Sequence, residues 1–179
     1  MVKTETIILG GGCFWCIEAV FEQLVGVTEV VSGYAGGTMV NPSHEAVCSG
    51  ITGHAEVVKI VFDPNVITLE QLLDVFMYVH DATLVNRQGN DVGEQYRSII
   101  LCTSQTQEQA VREYMRAAQL LSKKPIATHV GGLSAFYAAE AYHQQYYRQN
   151  PNKPYCGLVI TPKIKTFRQK FKNLLKENT

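Results

Sequence analysis

Short β-branched runs alternate with amphipathic helical stretches along this chain, and that alternation restricts it to a sheet with helices packed upon it. Residues 4–9 (TETIIL), 27–34 (VTEVVSGY), 55–62 (AEVVKIVF) and 97–103 (RSIILCT) have strand character. Between them, Ile17, Val20, Phe21 and Leu24 fall at helical spacing ahead of a Gly26 stop, and Leu69, Leu72, Leu73, Phe76 and Val79 follow a Thr68–Gln71 capping pair. Ser104 and Gln107 begin a third helix bearing Val111, Met115, Ala118 and Leu121. A short strand near 127–130 and a helix from about Ser134 to Tyr147 complete the order. The pattern predicts an α/β (α+β) fold, a two-layer sandwich on a mixed sheet, and paired strands between two helical crossovers predict a ferredoxin-like split β-α-β core. Residues 81–96 form a long polar stretch without periodicity, as functional or mobile loops do.

With 179 residues the chain has material for one core, so residues 1–161 are expected to form a single domain, its turn-rich segment about 150–157 (NPNKPYCG) mobile. Residues 162–179 hold six basic residues against Glu177, with Ile164, Phe167, Phe171, Leu174 and Leu175 at helical spacing; they read as a basic amphipathic helix docked on the domain. Sixteen basic and sixteen acidic residues cancel overall, so no global field points to nucleic acid. No apolar run approaches a membrane span and the start MVKTETIILGGG lacks signal-peptide features, so the expectation is a cytoplasmic monomer that binds neither nucleic acid nor membrane. Five cysteines are too few for a disulfide scaffold, and their odd number cannot pair completely.

The sharpest chemical signal is GGGCFWC at residues 10–16, a glycine run leading from a strand into a helix. A thiol in that first turn faces unpaired backbone N–H groups, which predicts a lowered pKa and makes Cys13 the candidate nucleophile. The spacing alone leaves other readings open: a buried structural cysteine, a thioredoxin-like Cys13–Cys16 redox pair, or zinc bound by Cys13, Cys16, His44 and Cys48. Strand alternation puts Glu56 on the face of Val58, Ile60 and Phe62, where burial raises a carboxyl pKa and makes it a proton donor; a strand-end carboxylate turned to solvent is the alternative. Phe14 and Trp15 can wall an apolar pocket, and Tyr34 and Tyr96 can offer hydroxyls to a ligand. His143 reads as part of a packing face. Cys156, in a turn-forming segment, is placed to reach a sulfenic acid and close a disulfide.

GCFW (12–15), SGYAGG (32–37), GHAE (53–56), GNDVGEQYRS (89–98), EAYHQQY (140–146) and YCG (155–157) occur in order and together closely resemble the A-type peptide-methionine sulfoxide reductases. The resemblance implies a thiol-dependent enzyme that reduces the S epimer of methionine sulfoxide in oxidised proteins, without metal or organic cofactor. Cys13 then corresponds to the nucleophile and Glu56 to the acid that protonates the sulfoxide oxygen. Tyr34 and Tyr96 correspond to hydroxyls bonded to that oxygen, Phe14 and Trp15 to the methyl pocket, and Asp91 to a carboxylate lining the site. Cys156 matches a resolving cysteine whose disulfide thioredoxin, or dithiothreitol in its place, reduces. Where many relatives have glycine this chain has Cys16, a second thiol able to resolve. The competing function is a general thiol–disulfide oxidoreductase using Cys13 and Cys16, and a zinc-stabilised binding domain is a third.

Overall fold

The computed structural model describes residues 3–177; Met1, Val2, Asn178 and Thr179, the ends of the two expected segments, lie outside the described residues. Strand β1 (Glu5–Gly10) leads into helix α1 (Phe14–Phe21), followed by β2 (Val27–Ala35), the short helix α2 (His44–Cys48), β3 (Ala55–Phe62) and α3 (Leu69–Val79). The polar stretch holds a two-stranded ribbon, β4 (Arg87–Gln88) with β5 (Asp91–Val92), before β6 (Ile99–Cys102) and α4 (Gln105–Leu121). Strands β7 (His129–Gly132) and β8 (Phe136–Ala138), helix α5 (Tyr146–Gln149), a π-helical turn at Cys156–Ile160 and helix α6 (Thr161–Lys170) complete the order.

The six-stranded sheet runs β7-β6-β1-β3-β2-β8. Its centre, β6-β1-β3-β2, is wholly antiparallel, with α1 linking β1 to β2 and α3 lying between β3 and β6. This is the expected split β-α-β core. Strand β7 adds parallel to β6 and makes the sheet mixed. Ile7, Leu9, Val58, Ile60, Phe62 and Ile100 face α1, α3 and α6, burying Ile17, Val20, Phe21, Leu73, Phe76, Ile164 and Phe167 between the layers. Each large side chain so buried contributes roughly 1.5–3 kcal/mol. Ile8, Val57, Ile99 and Leu101 pack on the other face under Leu133 and Phe136. The capping box at Thr68 and Gln71 forms as expected. Among the described residues no helix is long and apolar enough to cross a membrane.

Three expected elements differ. The helix expected over 134–147 is instead β8, a 3₁₀ turn at Ala141–His143 and α5. The open edge of β2 decides this: β8 pairs with Gly33–Ala35, and the Gln144 amide accepts from the Ser32 N–H (3.0 Å) and donates to its carbonyl (2.8 Å), a side chain standing in for a further strand residue. Around Cys156 the expected turn is helical from Pro154, and the π-turn buries the thiol completely against the core. The C-terminal helix ends at Lys170, where Phe171 leaves helical geometry and a 3₁₀ turn, Lys172–Leu174, folds Leu175 back into a bridge with Leu24.

Candidate active site

The glycine run brings two strands and a helix end to one point. Gly12 has φ +86°, and a Cβ on Gly10 would stand 2.7 Å from the Glu56 carbonyl oxygen; glycine alone permits both the left-handed turn and so close an approach. Cys13 follows as the N-cap of α1, but its side chain makes no capping bond. The cap comes from β3, since the Phe14 N–H donates to Glu56 Oε2 at 3.1 Å. The register pairs Tyr34 with Glu56, so both side chains share the helix-covered face of the sheet.

This arrangement reverses the expected Cys13 shift. Burial pushes the Cys13 thiol well above its ordinary value, and the nearby charges of Glu56 and Cys16 push the same way. The Trp15 N–H and the Tyr155 hydroxyl pull back only part of the shift. Sequence reasoning counted the positive helix end as free for the thiol, whereas Glu56 already occupies it. Glu56 itself is 2% exposed, and burial raises its pKa against the opposing bonds from His44 and the Phe14 N–H. Ionising Glu56 therefore disfavours the Cys13 thiolate, while protonating it relieves the thiolate.

Around Glu56 lies a buried polar cluster that sequence reasoning did not assemble. His44 Nε2 is 3.5 Å from Glu56 Oε1. The Tyr34 hydroxyl donates to Glu140 Oε1 at 3.0 Å, so it can serve a bound oxygen as donor only by exchanging that bond. Glu140 Oε2 accepts from the His44 N–H at 3.2 Å, and His54 ties the SGYAGG loop to GHAE by accepting from the Gly37 N–H (3.0 Å) and bonding the Met39 carbonyl (2.7 Å). His143, read from sequence as packing, accepts from the Trp15 indole N–H at 3.1 Å; burial and the charge of His44 lower its pKa to about 4, which keeps it neutral for that bond. Trp15 stacks on Tyr146 at 3.6 Å between ring centroids and meets Tyr155 edge-on at 5.8 Å. The available signals were the motifs EAYHQQY, which contains Glu140, His143 and Tyr146, YCG, which contains Tyr155, and GHAE, which contains His54; His44 lies in none of them.

On its other side Cys13 opens onto a cleft of about 360 Å³, shared with Cys16, Gln88, Asp91, Tyr155, Leu158 and Lys163. The Tyr155 hydroxyl donates to Asp91 Oδ2 at 2.7 Å and lies 3.9 Å from Cys16 Sγ. Tyr96 is half-buried; its carbonyl accepts from the Gly12 N–H at 3.1 Å, and burial together with the charges of Glu56 and Asp91 raises its pKa. Cys156 is fully buried and does not line the cleft. A larger cleft of about 660 Å³ lies by the ends of α3 and α4, but it contains no thiol. His44 and Cys48 gather with Glu56, apart from Cys13 and Cys16, so the four-residue zinc set expected from spacing does not assemble.

A cysteine thiol at a helix end capped by a buried carboxyl suits thiol-dependent chemistry. Residues 5–175 match the family profile described as "Peptide methionine sulfoxide reductase". Over 169 residues the chain is 50% identical to "Peptide methionine sulfoxide reductase MsrA" of Trichodesmium erythraeum, covering 93% of this chain and 96% of that one. Among solved structures, "Methionine sulfoxide reductase A of Corynebacterium diphtheriae" is similar at 38% identity and a TM-score of 0.77, over 84% of this chain and 76% of that one. Mxr1 from Saccharomyces cerevisiae in complex with Trx2 is similar at 26% identity and a TM-score of 0.56, over 80% and 85% respectively. This chain belongs to the peptide methionine sulfoxide reductase family and is a methionine sulfoxide reductase.

Proposed function

We propose that the enzyme reduces the S epimer of methionine sulfoxide in oxidised proteins and peptides, recycling its thiols through thioredoxin. The observation that carries this reading is Glu56, a carboxyl buried at the helix end beside the Cys13 thiol. Because each disfavours the other's charge, the pair shares one proton, and the state that reacts is the one with that proton on Glu56 and Cys13 as thiolate. The thiolate attacks the sulfoxide sulfur while Glu56 delivers its proton to the oxygen. The hydroxyl then passes from the substrate sulfur to Cys13 as the transient S–S and the substrate S–O bonds break, so methionine leaves and Cys13 is left as a sulfenic acid, S–OH. A second thiol displaces water from that sulfur and closes a disulfide, which a dithiol partner reduces.

A general thiol–disulfide exchanger needs neither an acid aimed at an oxygen nor an aromatic pocket, so Glu56, Phe14 and Trp15 favour the reductase chemistry. Phe14 and Trp15 supply the apolar wall for the substrate methyl group, and a wall on one side of a chiral sulfur selects one epimer. Asp91 and Tyr96 line the approach to the thiol, with Tyr96 bonding the departing oxygen. The reading assigns no step to a metal or an organic cofactor. Thioredoxin as partner is supported by the Mxr1 structure in complex with Trx2.

Cys156 remains the favoured resolving thiol. Its burial means that the π-turn around it must open first. Cys16, already on the cleft wall, is the thiol nearer to hand. An assay of separate R and S epimers with dithiothreitol as reductant tests the central reading: conversion of S alone is expected, and conversion of R at a comparable rate would overturn the stereochemical assignment.

A further inference from the structure

His44 and Cys48 are four apart on α2 and therefore project from one side of that helix. His44 Nε2 lies 3.4 Å from Cys48 Sγ and 3.5 Å from Glu56 Oε1, and the three ligand atoms fall within 4.8 Å of one another. Zinc bonds of about 2.3 Å to sulfur and 2.0–2.2 Å to nitrogen and oxygen give tetrahedral edges of about 3.4–3.6 Å. Both measured separations fall on those edges. An imidazole, a thiolate and a carboxylate are the three donor types that Zn²⁺ takes.

The site is held in advance of any ligand. Ser43 caps α2 by accepting from the Ala46 N–H at 3.1 Å, and Glu140 takes the His44 N–H. The His44 ring packs 4.4 Å from His143, between centroids, which restrains its plane much as groups around a metal ligand do. Cys48 is exposed and His44 half-buried, so two of the three donors face solvent.

We propose that His44, Cys48 and Glu56 form an inhibitory site for Zn²⁺ or a similar thiophilic divalent ion, which switches off reduction by taking up the carboxylate that must carry the proton. Binding is a property of the three residues alone, whereas inhibition rests on the proposed role of Glu56 as acid. The bound ion adds positive charge where a proton has to be delivered and occupies an oxygen that delivers it. Chelation releases the carboxylate and restores the enzyme.

The test uses the fully reduced full-length protein with Co²⁺ as a spectroscopic probe for the zinc site. One equivalent should produce a thiolate-to-cobalt charge-transfer band that Zn²⁺ abolishes by competition. Cys48→Ser should lose the band and His44→Gln should weaken binding about tenfold or more, as even groups that merely orient a ligand cost about 10–100-fold. Retention of the band in Cys48→Ser, or its loss in Cys13→Ser instead, overturns the site. For inhibition, pre-reduced enzyme is followed through a single turnover with no dithiol present to sequester the metal. Zn²⁺ should stop methionine formation by the parent and a chelator should restore it. Cys48→Ser should match the parent without metal and tolerate about tenfold more Zn²⁺ or better. A cobalt band without inhibition by Zn²⁺ overturns the regulatory half. If metal-free parent forms no methionine, the functional reading fails while the cobalt spectra still decide the site.

Discussion

The two sides of Cys13 are built for opposite purposes. Toward β3 the helix end meets Glu56, Tyr34, His44 and Glu140, a set bonded in series and largely withdrawn from water. Toward the β4–β5 ribbon it meets a cleft in which Asp91, Tyr155 and Lys163 stand beside the apolar Leu158 and Val159. Burial on the first side raises the Glu56 carboxyl pKa. The second side leaves Cys13 and Cys16 on the wall of an open cleft. Cys13 thus stands between a buried polar cluster and a cleft, whereas Cys156 is fully buried and lies outside that cleft.

The comparison breaks first at Cys13. Cys13→Ser should reduce single-turnover methionine formation below detection with any reductant, because a hydroxyl is not a useful nucleophile toward sulfur at neutral pH; measurable turnover would remove Cys13 from the role. Glu56→Gln keeps the volume and loses the proton, so the reductive step should slow about 10²–10⁴-fold with the fold intact. Single-turnover rates within a few-fold of the parent would leave Glu56 a purely structural cap.

The cleft side is tested by the resolving thiols. Cys156→Ser should retain one stoichiometric reduction per enzyme and lose most thioredoxin-driven turnover, whereas Cys16→Ser should keep it. Mass mapping after one turnover decides between them: a Cys13–Cys16 bond with Cys156 free assigns resolution to the thiol already on the cleft wall.

The smallest effect concerns the support of the polar side. Glu18, 2% exposed, accepts from the Gln145 N–H at 2.9 Å and so anchors the segment that carries Glu140 and His143. Burial raises its pKa from 4.5 to about 7. A carboxyl raised in the folded state stabilises the fold below its unfolded pKa, and that contribution disappears as pH climbs through the folded value. Glu18→Gln, whose amide oxygen still accepts the bond, should therefore gain in Tm relative to the parent between about pH 4.5 and pH 7, and the gap should stay level above. A pH-independent gap in thermal unfolding would show that Glu18 ionises like a solvent carboxylate.

Local chemistry determined much of this protein. The strand periodicities, the Thr68 and Ser104 caps and the glycine run all act within a few residues, and each appears in the structure where its residues predict it. The parity of β3 likewise put Glu56 on the buried face, because alternation along a strand is local. Only the tertiary structure decided what depends on distant partners. A helix over 134–147 gave way to the β2 edge, whose unpaired backbone groups Gln144 and β8 satisfy across more than a hundred residues. The Cys13 shift changed sign because the fold buries the thiol, and Glu56, 43 positions away, adds its charge and claims the helix end. His44 and Cys48 share a helical spacing, but nothing in the sequence ties Glu56 to them. They meet because a five-residue helix in the β2–β3 connection folds back over the strand that carries the acid.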